Sequence, residues 1–137
     1  MKNIQYLLGL HSIEGLGSVR LKKILDHFGD DPKLGWEADI RELRNLGIPE
    51  LACQNLKEVR KTLDPDQFLE RLEQLGIKYM TFFDPDYPKL LAQIYDPPIV
   101  LYYKGKILPA DEKAIAVVGT RKMTGYGKFV TGDFTKG

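Results

Sequence analysis

The chain has 137 residues, of which 43% are hydrophobic and 28% are charged, and this balance is typical of one or two small globular domains. No apolar run reaches the roughly 18 residues of a membrane-spanning helix, and no small-residue cleavage site follows the apolar start, so we expect neither membrane contact nor a signal peptide. The single cysteine, Cys53, excludes an internal disulfide and favours a cytoplasmic location.

The positive charge is unevenly distributed. The formal net charge of the whole chain is only +1, but residues 104–137 contain seven Lys or Arg side chains against three acids, and the rest of the chain is slightly acidic. An anionic partner is therefore expected to bind near the C-terminal end. The alternative is a solvated surface on which cations cluster by chance.

Residues 4–75 show the apolar spacing of successive helices. Proline and aspartate at their starts and glycine at their ends set the boundaries, with Gly76 expected as a left-handed cap. On this basis Leu51 and Leu75 lie on the apolar sides of their helices, and Cys53 is a buried small hydrophobe. The predicted helices cover residues 4–10, 19–28, 36–46, 49–59 and 64–75.

After Gly76 the pattern changes to short runs rich in aromatic and β-branched residues, which predict strands at 77–83 and 99–103. A proline turn and a brief helix over residues 89–94 separate them. The apolar run at 114–118 is typical of a strand buried on both faces of a parallel sheet. The sequence thus predicts an α+β protein. A helical domain covers residues 1–66, and residues 67–137 form the first part of an α/β domain.

The first candidate site is the turn between the first two predicted helices. Gly15 and Gly17, separated by one apolar residue, form the pattern of a helix-hairpin-helix, whose helix amides point at a DNA phosphate. Arg20, Lys22 and Lys23 follow and add positive charge. The alternative is a tight helical turn in a structural or partner-binding domain.

The second candidate site is the turn after the run at 114–118. Gly119 brings backbone amides to the end of the predicted strand, Thr120 offers a hydroxyl, and Arg121 can fork onto two phosphate oxygens, with Lys122 and Lys128 nearby. The glycine spacing is neither that of a dinucleotide-binding fingerprint nor that of a P-loop. We expect a phosphate site here; the alternative is an ordinary strand-to-helix turn with an exposed arginine.

The sequence offers little for catalysis. His11 and His27 are isolated from any cysteine or carboxylate at metal-ligand spacing, and no nucleophile stands beside a base. We therefore expect no catalytic residue, no metal and no cofactor. Four tyrosines near the proline turns are candidates for stacking on bases, but aromatic residues beside a strand more often belong to a core. They are Tyr87, Tyr95, Tyr102 and Tyr103.

Taken in order, these residues resemble the DNA-processing protein A family, also called DprA or Smf. The resemblance covers nearly the whole chain, and it rests on a helical beginning with Gly15-Leu16-Gly17 followed by an ordered set of short motifs. These are Tyr87-Pro88-x-x-Leu91, Asp96-Pro97-Pro98-Ile99-Val100-Leu101-Tyr102, Lys104-Gly105, Ala116-Val117-Val118-Gly119-Thr120-Arg121 and Tyr126-Gly127.

The resemblance implies a sterile-alpha-motif-like helical domain followed by the first part of a Rossmann-like domain, because the family's later motifs are absent. It also implies a non-catalytic protein that binds and protects single-stranded DNA in natural transformation, loads the RecA recombinase and forms a homodimer when full-length. The family's DNA-binding motif maps onto Gly119, Thr120 and Arg121. A nucleotide-binding enzyme and a protein-interaction module remain the alternatives.

Overall fold

The computed structural model describes residues 1–108, 111, 113, 115 and 117–136 of the chain. It contains two compact units, residues 1–106 and residues 107–137. Within the described residues, the first unit consists of helices joined to a two-stranded sheet. Its elements are α1 (Ile4–His11), α2 (Ser18–His27), α3 (Pro32–Glu37), α4 (Ile40–Asn45), α5 (Glu50–Thr62), α6 (Pro65–Gln74), β1 (Lys78–Thr81), α7 (Lys89–Ala92) and β2 (Val100–Tyr103).

The core of the first unit is built around α1, which contacts α2, α3 and α6. Leu7, Leu8 and Leu10 of this helix have no solvent exposure, and Gly9 between them is buried as well. α2 contributes Leu21, Ile24 and Leu25 from one face, at the spacing of an amphipathic helix. The hydrophobic effect of these side chains therefore stabilises the arrangement of the helices.

Most helix boundaries agree with the sequence analysis. The Asp64 carboxylate accepts hydrogen bonds from the amides of Asp66 and Gln67 and so caps the N-terminus of α6. The helix ends before Gly76, whose φ of 63° is the predicted left-handed conformation. Cys53 is fully buried, as expected, and burial raises the pKa of its thiol.

Two helix predictions were wrong. The single helix expected over residues 36–46 is two helices, because Ala38 is extended and the Asp39 carboxylate accepts a hydrogen bond from the Arg41 amide, which starts α4 anew. Leu51 and Leu75, assigned to apolar faces, are 62% and 53% exposed. Leu51 is the second residue of α5 and Leu75 caps the C-terminus of α6, so both lie at helix ends, beyond the buried residues of their helices.

The strands predicted at 77–83 and 99–103 are confirmed as β1 and β2. They pair antiparallel, with Tyr79 opposite Tyr102, and the residues that lead into β2 join the helical core. The loop between the strands is closed at its base, because the Phe82 amide donates to the Ile99 carbonyl at 2.8 Å and the Tyr87 hydroxyl donates to the Pro98 carbonyl at 2.8 Å.

The described part of the second unit contains the helix α8 (Gly125–Phe134). The buried strand predicted at 114–118 is not seen where it can be assessed: Ile115, Val117 and Val118 are outside any strand and exposed. Ala114 and Ala116 lie outside the described residues. An apolar run becomes a doubly covered strand only when other strands flank it, and β1 and β2 pair with each other.

The mixed helical and β content is that of an α+β protein, as the sequence predicts. The sterile-alpha-motif-like and Rossmann-like assignments stay predictions, as does the functional boundary between residues 66 and 67. In the structure, α6, β1 and β2 belong to the first unit together with the first five helices, and the division between the units falls after residue 106.

Replacing Gly35 by alanine tests the packing of α3. A Cβ at this position meets the Cγ2 methyl of Ile24, which is branched at its own Cβ and fully buried. We expect Gly35→Ala to lower the free energy of unfolding by about 1–3 kcal/mol, measured by urea denaturation. Gly35→Ala should cause no loss of stability when Ile24 is also replaced by alanine. If the two substitutions instead lower the free energy of unfolding additively, the contact between Gly35 and Ile24 is not the cause.

Acid should weaken the fold through His11. Its ring lies 5.5 Å from that of Tyr102, and burial lowers the pKa of its imidazole. The unfolded chain, with a histidine pKa of about 6.5, therefore binds the proton more readily. Stability due to His11 is complete above that pH and falls as the pH drops below it. Urea denaturation at pH 7.5 and pH 5 should show a smaller acid loss for His11→Phe than for the unaltered chain.

Candidate functional site

The turn at residues 119–122 lies in the second unit, directly before α8, and all four residues are exposed. No atom lies within 4 Å of a Cβ built on Gly119, so a ligand can approach the backbone there. The Thr120 hydroxyl oxygen accepts a hydrogen bond from the Lys122 amide at 3.3 Å, which folds the turn and leaves the hydroxyl hydrogen free to donate.

α8 begins with its own cap. The Thr124 hydroxyl accepts a hydrogen bond from the Gly127 amide at 3.1 Å, and the Thr124 carbonyl accepts one from Lys128 at 3.0 Å. The preceding amides at the start of a helix have no intrahelical acceptor, and together with the helix dipole they favour an anion. The turn therefore precedes a helix end that favours negative charge.

Three cations accompany this turn. The side chains of Arg121, Lys122 and Lys128 are exposed. Within the described ranges, none of the three forms an ion pair or a side-chain hydrogen bond. Because no acid among the described residues pairs with them, they are available to an external anion, and an arginine can bind two phosphate oxygens at once.

The turn between α1 and α2 has the expected glycine geometry but uses its polar groups internally. Gly15 has a φ of 92°, and the Arg20 guanidinium donates to its carbonyl at 2.7 Å. The Asn55 amide donates to the Glu14 carbonyl at 3.0 Å, and the Ile99 amide donates to the Ser18 hydroxyl at 3.3 Å. The turn thereby joins α2 to α5 and to the start of β2.

A small cavity of about 270 Å³ lies at the start of α2, lined by Gly17, Ser18, Val19, Arg20 and Asp96. The Asp96 carboxylate opposes a phosphate at that position, because like charges repel. Lys22 and Lys23 are exposed on the outer face of the helix. The structure thus brings together Gly15, Gly17 and Arg20 as a structural joint, and DNA contact through this turn stays a prediction.

The tyrosines are divided between core and surface. Tyr87 is 6% exposed, and burial raises the pKa of Tyr102 to about 12, whereas Tyr95 is fully exposed.

No group of three or more His, Cys, Asp or Glu side chains that fits a metal ion is found among the residues that the structure describes. His27 instead contacts Glu42 at 2.9 Å on the surface.

Sequence reasoning missed a face of α8. A shallow cavity of about 370 Å³ is lined by residues spaced three and four apart, which is the spacing of one helix face. The same spacing is visible in the sequence, but a single aromatic residue among glycines and charged residues does not form an apolar face. The lining residues are Gly125, Lys128, Phe129, Gly132, Asp133 and Lys136.

Comparison with known proteins identifies the family. Residues 78–137 match the family model described as DNA recombination-mediator protein A. The chain is 34% identical over 127 residues to Protein Smf of Synechocystis sp., covering 89% of this chain and 32% of that protein. It is 32% identical over 110 residues to DNA processing protein DprA of Bacillus subtilis, covering 74% of this chain and 37% of that protein.

A third relative, Protein Smf of Borreliella burgdorferi, is 47% identical over 92 residues, which are 63% of this chain and 29% of that protein. The chain belongs to the DprA/Smf family, and it spans about a third of the length of the curated relatives it matches. No solved structure matches it significantly. Among the residues that the structure describes, no helix is long and apolar enough to cross a membrane.

The role of the α1–α2 turn can be tested by replacing Lys22 and Lys23 together with glutamine. Because Asp96 lies at the start of α2 and Arg20 is engaged with Gly15, we expect the salt dependence of single-stranded DNA binding to stay unchanged. Loss of two phosphate contacts would instead reduce the slope of log affinity against log salt by about 1.4. Fluorescence anisotropy of a labelled oligonucleotide at several salt concentrations measures this slope.

Proposed function

We propose that this chain binds single-stranded DNA through the turn at residues 119–122 and the start of α8, as the DNA-contacting part of a recombination mediator. The observation that supports it best is the set of exposed cations without acidic partners in the described part of the unit, Arg121, Lys122 and Lys128, beside a capped helix start. The relatives' names, which concern DNA processing and recombination mediation, agree with this chemistry.

The proposed binding is electrostatic and independent of base sequence. The Arg121 guanidinium forks onto two oxygens of one phosphate, and Lys122 and Lys128 neutralise its neighbours along the strand. The Thr120 hydroxyl and the first amides of α8 donate hydrogen bonds to the same anion. The protein carries out no reaction in this proposal; it holds the strand in a fixed position.

The wider role concerns the full-length protein, because this chain spans about a third of its relatives. We propose that the whole protein acts in the cytoplasm during natural transformation, protects incoming single strands, loads the RecA recombinase and works as a homodimer. The sterile-alpha-motif-like and Rossmann-like domains belong to this proposal. Family membership supports it.

Replacing Arg121 by alanine tests the proposed function. We expect weaker binding of oligonucleotides of any sequence, and a decrease of about 0.7–1 in the slope of log affinity against log salt, as one phosphate contact is lost. Arg121→Lys should recover only part of the affinity, because an ammonium cannot bind two oxygens in a fork. Anisotropy titrations across a salt series give both quantities.

The matched control is Arg41→Ala, which removes the same charge from an exposed site on the first unit. Equal losses for Arg41→Ala and Arg121→Ala would reduce the proposal to general attraction by net charge. Unchanged affinity in Arg121→Ala would overturn it. Mononucleotides added as competitors separate strand binding from nucleotide binding. A nucleotide-binding enzyme would release the oligonucleotide at a similar concentration of mononucleotide phosphate, whereas a strand-binding protein would not.

A further inference from the structure

One face of α8 combines an exposed aromatic ring with cations and bare backbone. Phe129 is 72% exposed, and it lines the cavity of about 370 Å³ together with Lys128 and Lys136. A large apolar side chain left in water at this level is unfavourable, at about 25 cal/mol per Å² of apolar surface. An exposed aromatic beside cations often marks a binding surface.

The glycines of this face keep the cavity open. Gly125 and Gly132 are seven residues apart and so lie on the same side of the helix. A Cβ built on either has no atom within 4 Å, so no side chain of the described chain occupies the space above them. A flat ligand group can therefore approach the helix backbone and lie against the Phe129 ring.

The chemistry of the lining suits a nucleotide chain better than an isolated anion. Lys128 lies on α8 and Lys136 follows two residues after the helix ends, and both line the same cavity as Phe129. Aromatic rings between such cations are the usual platforms for bases of single strands. Asp133 lines the same cavity; it repels a phosphate but can accept a hydrogen bond from a base amino group.

We propose that this face is a base-stacking subsite, in which Phe129 stacks on a base while Lys128 and Lys136 contact the flanking phosphates. The inference rests on the proposed function and extends it, because it adds recognition of bases to the phosphate contacts of Arg121. It distinguishes single-stranded DNA, whose bases are accessible, from a duplex, whose bases are already stacked.

The test compares two ligands for the 137-residue chain: a labelled thymidine oligonucleotide and an abasic deoxyribose-phosphate oligomer of the same length. Phe129→Ala should weaken binding of the thymidine oligomer by about fivefold or more, the lower end of what one stacked base contributes. Binding of the abasic oligomer should not change. Phe129→Trp should keep the affinity and show quenching of its fluorescence by bases, against a constant background from Trp36, which is 7% exposed.

The matched control is Phe134→Ala, which removes an 84% exposed aromatic from the same helix but outside the cavity lining. It should leave both affinities unchanged, and far-UV circular dichroism checks that each variant keeps its helices. Equal losses for Phe134→Ala and Phe129→Ala would overturn the subsite, as would equal losses of Phe129→Ala on both ligands.

The outcomes also separate this inference from the proposed function. If Arg121→Ala weakens binding and Phe129→Ala does not, the phosphate site stands and the stacking subsite is wrong. If the unaltered chain fails to bind the thymidine oligomer at low salt, both are wrong. If the thymidine and abasic oligomers bind the unaltered chain equally well, no base is contacted and the subsite is again wrong.

Discussion

The burial of residues 7–10 of α1 is the constraint on which the first unit depends. Four consecutive buried residues cover nearly every side of a helix, and their neighbours here come from α2, α3 and α6. Gly9 allows a close approach: a Cβ there would lie 3.0 Å from the Trp36 ring. Because each of these helices is positioned by contact with α1, the turns between them have little freedom.

That constraint explains why the glycine-rich turn between α1 and α2 uses its polar groups within the fold. Its carbonyls at Glu14 and Gly15 accept hydrogen bonds from Asn55 and Arg20, and these bonds hold neighbouring elements together. In the second unit the polar groups of the 119–122 turn and α8 have few such internal roles among the described residues. Groups not used for folding are available for a ligand, so the two glycine turns differ in how many of their polar groups are free, despite their similar composition.

Much of the first unit could be predicted because its signals are local. Asp64 and Gly76 mark the ends of α6 through hydrogen bonding and backbone conformation that depend only on adjacent residues. The break at Asp39 was missed, since the apolar spacing runs through it and only the capping bond reveals it. The exposure of Leu51 depends on where the neighbouring helices end, which local spacing does not encode.

The candidate site was also predictable from the sequence only in part. Gly119, Thr120 and Arg121 were identified from residue types, and their exposure follows from the short polar turn that they form. The face around Phe129 was not identified, because a sequence gives no measure of an open space above two glycines. The antiparallel pairing of β1 with β2 also could not be read from composition, since each strand is four residues long and carries no register signal.

The closed base of the loop between β1 and β2 has a consequence for how this protein can diversify. Two hydrogen bonds fasten its ends, one from the Phe82 amide and one from the Tyr87 hydroxyl. The residues at its tip, such as Leu90 and Tyr95, are exposed. Substitutions there leave the sheet register and the helical core intact, so the tip can acquire or lose contacts by mutation while the scaffold stays constant.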